Sequence, residues 1–227
     1  MAADSINLTN QFLIAMPGMV DEAFSGAVVY LCEHSEKGAL GLMINKPVDI
    51  RLRNLFEKVD LTLDAGELGE QPVFYGGPVQ TERGFVLHER EDGAMQYSST
   101  LSVPGGLEMT TSKDVLEAMA QGTGPRRVLV TLGYSGWATG QLEEELGRNG
   151  WLNVDAAPEI IFDTPIEQRY ERALALLGVD PRMLSQEAGH AWRQRPEGSL
   201  RVPAPSSRSS HSISASSASA SPPATRC

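Results

Sequence analysis

Little in this chain suits covalent cross-linking, membrane insertion or strong attraction to nucleic acid. Its 227 residues include two cysteines, Cys32 and Cys227. One lies in a strand-like run and the other is the last residue. That excludes a disulfide framework and any CxxC metal or redox motif, and it fits a reducing cytoplasm. The apolar run FLIAM at 12–16 is cut short by Pro17 and Gly18. No segment approaches the roughly 20 apolar residues of a membrane helix, and the first residues carry no basic leader. The chain therefore reads as a soluble cytoplasmic protein with no membrane contact. Neither a Gly-x-Gly-x-x-Gly pattern nor a P-loop is present, so the standard dinucleotide and nucleoside triphosphate modes are not indicated. No cofactor is implied.

Positive charge is also scarce, and it is unevenly placed. The net charge is −10. Residues 191–227 hold five arginines against one acid, Glu197, which leaves residues 1–190 with 14 basic and 28 acidic residues. An acidic body repels a phosphate backbone, so direct nucleic-acid binding by residues 1–190 is disfavoured. Residues 203–227 contain ten Ser, five Ala and four Pro. Such a composition buries too little apolar surface to offset its ordering entropy. The expected organisation is one domain over 1–190 and a disordered basic tail over 191–227.

What is present is a series of short strand-like runs, at 12–16, 27–32, 39–44, 73–75, 85–88, 94–97, 106–109 and 128–132. Helical periodicity predicts helices at 49–58, from Thr111 or Ser112 onward, at Gln141–Gly147, and at 166–177 with Gly178 as the stop. A fifth is expected to start near Asp180-Pro181. Strands and helices do not alternate cleanly, which argues against a doubly wound parallel sheet. The predicted class is α+β with a largely antiparallel or mixed, curled sheet.

Several segments line up in order: QFLIAMPGM (11–19), VVYLCEH (28–34), GALGLMINKP (38–47), VFYGGPV (73–79), GFVLH (84–88), LGYSGWATGQLEEEL (132–146) and FD (162–163). As an ordered set over roughly residues 7–190 they resemble the YqgE/AlgH family of small bacterial proteins. The resemblance implies a bifurcated sheet curled into a pseudo-barrel with peripheral helices. It also implies a bacterial cytosolic protein, often described as a transcriptional regulator. It brings no catalytic residues with it.

Residues 127–151 carry the densest signal: a strand, a Gly-rich turn with Tyr134 and Trp137, then an acidic helix. Aromatic anchors rimmed by charge are common at interfaces. Tyr134, Trp137, Gln141 and Glu144 are therefore the candidate surface for a protein partner. Gly133-Tyr134-Ser135-Gly136 has the setting of a nucleophile elbow but departs from G-x-S-x-G. Asp155, Asp163 and His190 follow it in triad order, with His190 near the tail. Cys32, His34 and His88 make a conceivable Cys-His-His metal site, with a spacing that is not diagnostic; a small core Cys and locally bonded His side chains are the commoner arrangement. Cys32 would serve as a redox sensor only if exposed and acidified. The strand ends supply a candidate ligand pocket from His34, Asn45, Lys46, Gly76, Gly77 and His88, which requires those residues to converge. The order of preference is a non-enzymatic regulatory or adaptor protein, then a small-ligand binder or enzyme, then a direct DNA binder.

Overall fold

The computed structural model describes residues 7–19, 21–63, 66–90, 96–179 and 184. Short β-branched and aromatic runs form the strands β1 (Gln11–Ala15), β2 (Val28–Ser35), β3 (Gly38–Met43) and β4 (Pro47–Arg51). Two helices follow, α1 (Leu52–Lys58) and the single-turn α2 (Glu67–Glu70). Then come β5 (Pro72–Tyr75), β6 (Val79–Glu89), β7 (Thr100–Val103), β8 (Leu107–Thr110) and α3 (Lys113–Ala120). The last part comprises β9 (Val128–Ala138), α4 (Gln141–Gly147), β10 (Trp151–Asp155), α5 (Pro158–Phe162), a 3-10 turn at Ile166–Gln168, and α6 (Arg169–Leu176).

The main path of the sheet runs β10-β1-β2-β3-β9-β6-β8-β7, antiparallel at every step. β9 is where the sheet forks. Its second half, Ser135 to Ala138, pairs with β3. Its first half pairs with β6 on one side and, in parallel, with β5 on the other through Phe74–Thr131 and Tyr75–Leu132. β4 continues that branch beyond β5. The sheet curls into a half-barrel, and the α+β class expected from sequence holds.

Glycine makes the fork possible. A Cβ on Gly76 would lie 2.1 Å from the Gly133 carbonyl oxygen, and one on Gly77 would lie 2.3 Å from the Ser135 amide nitrogen. The two chains cross with backbone against backbone, which only glycine permits. Ser135 fastens the crossing, its hydroxyl donating to the Gly76 carbonyl at 3.0 Å.

Both faces of the central strands are covered. Phe12, Ile14, Tyr30, Leu42 and Leu87 pack with Ile160, Ile161, Ala173 and Leu174 from α5 and α6. The alternate residues Leu13, Val29, Leu31 and Met43 face Trp137, Leu142 and Trp151. A third cluster joins Leu52, Phe56, Val73, Val86, Val115, Met119 and Val130. Each large side chain so buried contributes about 1.5–3 kcal/mol. Burial on both faces makes these strands read as continuous apolar runs rather than alternating ones.

Some expectations change. The stretch after Leu132 is not a turn: β9 is one eleven-residue strand that includes Tyr134 and Trp137. No strand forms at Gln96–Tyr97, while Ala94 and Met95 lie outside the described residues; the strand falls at Thr100–Val103 instead. β4 and β10 had gone unread. The chain divides into one unit of Met1–Gly189 and another of His190–Cys227. The expected tail at 191–227 and the helix near Asp180 lie outside the described residues.

Candidate functional site

The residues singled out from sequence do not form one site. Along β9, His88 stands opposite Val128, while Trp137 stands opposite Ala39, the partner of His34. Nine steps separate Val128 from Trp137, roughly 30 Å of strand at about 3.3 Å per residue. His34 and His88 therefore belong to opposite ends of the sheet. The pocket of His34, Asn45, Lys46, Gly76, Gly77 and His88 does not assemble.

Each of these groups has a structural task. His34 is 6% exposed. Its Nδ1 accepts the Leu8 amide at 3.0 Å, so the proton sits on Nε2, which faces Glu143 at 3.1 Å. His88 is buried; its Nδ1 donates to the Glu89 carbonyl and its Nε2 accepts from the Thr110 hydroxyl. Asn45 accepts from the Val28 amide and donates to the Gly26 carbonyl, and Lys46 donates to the Ser25 carbonyl. Gly76 and Gly77 serve the strand crossing. Cys32 is buried, and burial pushes its thiol well above the usual range, with Glu33 adding to the rise. That is the reverse of what a redox sensor needs. Among the described residues no three His, Cys, Asp or Glu side chains come together as a metal site. Ser135 is fully buried and engaged with Gly76, so it cannot reach a substrate. His190 lies outside the described residues.

The proposed partner surface also divides. Period-two alternation puts Tyr134 and Trp137 on opposite faces. Tyr134 packs on Phe85 with ring centroids 5.4 Å apart. Trp137 is 6% exposed and meets Phe24 and Trp151. Its indole N–H donates to Glu145 Oε2 at 2.9 Å, and that of Trp151 donates to the same oxygen at 2.8 Å. Gln141 is exposed and donates to Glu145 Oε1. Glu144 is exposed and pairs with Arg148 one turn on. Trp137 is thus a core residue and not an anchor. Gln141 and Glu144 remain on the surface.

A cleft appears away from both the partner surface and the ligand pocket expected from sequence. It measures about 470 Å³ and lies between the start of β9, the start of β5 and the α5–α6 segment. Phe74, Arg126, Arg127, Asp163, Thr164 and Arg169 line it. Arg127 sits just before β9. Its Nη1 pairs with Glu89 and its Nη2 with Asp163, while its Nε is buried and meets no hydrogen-bond partner. Arg169 opens α6 and is 6% exposed. It donates from Nε to the Thr164 carbonyl at 3.0 Å and from Nη1 to the Ile44 carbonyl, and it lies 5.1 Å from the centroid of Phe74. No carboxylate pairs with it among the described residues. Burial lowers its pKa to about 10, with Glu167 pulling the other way. It still carries its charge at neutral pH.

A buried cation held by neutral carbonyls and a ring favours an anion beside it. The volume falls within the range of small-molecule sites. Two signals for this cleft stand in the sequence. One is the Arg126-Arg127 pair in an acidic chain. The other is Arg169, which shares a helical stripe with Ala173 and Leu177, where an apolar residue is the norm.

The AlgH-like family matches residues 12–182. A UPF0301 protein of Ralstonia nicotianae is 70% identical over 186 residues, which is 82% of this chain and 96% of that protein. A UPF0301 protein of Burkholderia cenocepacia is 68% identical over 189 residues, 83% of this chain and 98% of that one. The solution structure of the AlgH protein from Pseudomonas aeruginosa matches with a TM-score of 0.67 at 47% identity, covering 84% of this chain and all of that one (100%). A crystal structure of a protein from Corynebacterium diphtheriae shares the fold, with a TM-score of 0.62 at 19% identity over 82% of this chain and 94% of that one.

Proposed function

The chain belongs to the AlgH-like family, and on that footing we propose that it is a cytosolic regulatory protein that works by binding, with the arginine-lined cleft as its ligand site. The observation that carries this reading is Arg169, a guanidinium 6% exposed that lines a cleft and has no carboxylate partner among the described residues. An external anion supplies the missing counter-charge. Binding is favoured over catalysis because Ser135 and Cys32, the nucleophiles weighed from sequence, are buried and raised or engaged within the fold. The ligand's presence is read out by a protein partner. A net charge of −10 opposes direct contact with duplex DNA, so an effect on transcription runs through that partner.

The test is thermal unfolding of the full chain against a panel of small carboxylates, phosphates and sulfates at constant ionic strength. A saturable rise in Tm with at least one anion, suppressed by Arg169→Met and by Arg127→Gln, is expected. A flat response to every anion overturns the ligand site.

A further inference from the structure

We infer that a second cavity, separate from the arginine-lined cleft, takes a free α-amino acid with an apolar side chain. The cavity measures about 380 Å³ and lies at the end of the half-barrel marked by the β2–β3 turn. Glu33, Ser35, Lys37, Leu40, Val79 and Tyr134 line it. Strand pairing sets most of them on one face. Glu33 stands opposite Leu40, Leu40 opposite Gly136, and Val79 opposite Tyr134, two positions before Gly136. Leu40, Val79 and Tyr134 give an apolar floor, with Leu40 and Tyr134 resting on the first core cluster. Gly136 does not adopt a left-handed backbone. Its missing side chain leaves the strand bare beside the Tyr134 ring, where a Cβ would lie 3.1 Å from Cε2.

Two opposite charges border this floor. Among the described residues Glu33 and Lys37 form no ion pair, with each other or with any other group. The Tyr134 ring is held by Phe85, but its hydroxyl meets no hydrogen-bond partner among the described residues. A zwitterion matches this arrangement. Its ammonium meets Glu33, its carboxylate meets Lys37, and its side chain covers Leu40 and Tyr134. A simple anion or cation would use one of the two charges and be repelled by the other. The volume sits near the lower end of the range for small-molecule sites, which suits a ligand of this size. The adjoining backbone is irregular as well. Residues 80–83 bulge out of β6 between the Val79–Tyr134 and Gly84–Leu132 pairs, and Gln80 holds a φ of +51°. Bulges re-aim the side chains beside them and recur next to active sites, where backbone strain also collects.

The experiment is calorimetric titration of the full chain at pH 7 and constant ionic strength. The probes are L-leucine, L-serine, leucinamide, which lacks the carboxylate, and 4-methylpentanoate, which lacks the ammonium. Each variant is first shown to fold. Leucine should bind saturably. Serine carries both charges but little apolar body, and should bind at least about tenfold more weakly. Exposed ion pairs are weak, so Glu33→Gln and Lys37→Gln should each weaken leucine by about fivefold. Leucinamide should be weakened by Glu33→Gln alone, and 4-methylpentanoate by Lys37→Gln alone. Glu36→Gln, in the same turn but outside the cavity, and Arg127→Gln, in the other cleft, should change nothing. No binding of leucine overturns the site, as does an equal weakening by Glu36→Gln or none by Glu33→Gln and Lys37→Gln. Tighter binding of leucinamide or 4-methylpentanoate than of leucine overturns the zwitterion assignment. Loss of leucine binding in Arg127→Gln alone overturns this second site and leaves the arginine-lined cleft standing.

Discussion

Glu144 and Glu145 are neighbours on α4, yet their removal should have very different consequences. Glu145 Oε2 accepts both the Trp137 and the Trp151 indole N–H, and its Oε1 accepts from Gln141. The two tryptophans are 6% and 3% exposed. Glu145→Ala leaves two buried donors without an acceptor, at about 1–3 kcal/mol each. The sum is about 2–6 kcal/mol. Glu144 is exposed and pairs only with Arg148 one turn away. Such a pair contributes about 0.3–0.5 kcal/mol. For a chain of this size 1 kcal/mol moves Tm by roughly 2–4 °C. Glu145→Ala should therefore lower Tm by about 10 °C, and Glu144→Ala by about 1 °C. Urea unfolding followed by tryptophan fluorescence measures both free energies. Glu145→Gln, which retains an acceptor oxygen, should fall between them. A Glu145→Ala variant no less stable than Glu144→Ala would mean that water satisfies both indoles. Trp137 would then be open to solvent, and its place in a partner surface would return.

Three further outcomes are expected. Gly77→Ala drives a Cβ into the Ser135 and Tyr134 backbone at a φ of +150° and should lose at least about 4 kcal/mol or fail to fold; Gly122→Ala, at a φ of +71° in open space, should lose about 1 kcal/mol on denaturant unfolding. Burial pulls the Asp114 carboxyl upward, but bonds from the Ser112 and Ser98 hydroxyls and from the Ser98 and Val115 amides outweigh it and hold the group below its usual range. Its stabilisation is thus complete above the unfolded value of about 4 and disappears as pH falls through the lower folded value. Asp114→Asn should lower stability at neutral pH and flatten the acid-side decline of Tm. Cys32, buried and with a raised pKa, should react with maleimide only after unfolding, as mapped by mass spectrometry.

The fold class was legible because it depends on local patterns. Strand runs such as Val28–Ser35 and the helix Gln141–Gly147 carry their apolar periods and stop signals in the chain itself. The ordered segments from 11 to 163 were specific enough to point to the family. Two strands escaped notice for a physical reason. β4 alternates between exposed and half-buried positions, and the outermost strand β10 buries only Trp151 fully, so neither has the apolar run of a strand covered on both faces. The glycines of 133–136 looked like a turn. Both are strand residues, and the missing side chain of Gly133 is what lets Gly77 pass against β9.

The site was another matter. Chemistry-bearing residues in short sequence clusters, such as Cys32 with His34 or Tyr134 with Trp137, proved to be internal fasteners or core. Alternation sends strand neighbours to opposite faces, and the length of β9 separates its two ends. Arg127 and Arg169 are 42 positions apart in the chain, and nothing local links them. The sequence alone determined an acidic α+β chain, its family and its strand–helix vocabulary, because each follows from composition and short-range period. Only the tertiary structure decided that Trp137 is core and that Arg127 and Arg169 share a cleft. Burial and counter-charge are properties of what surrounds a side chain, and those surroundings come from distant segments brought together by the fork of the sheet.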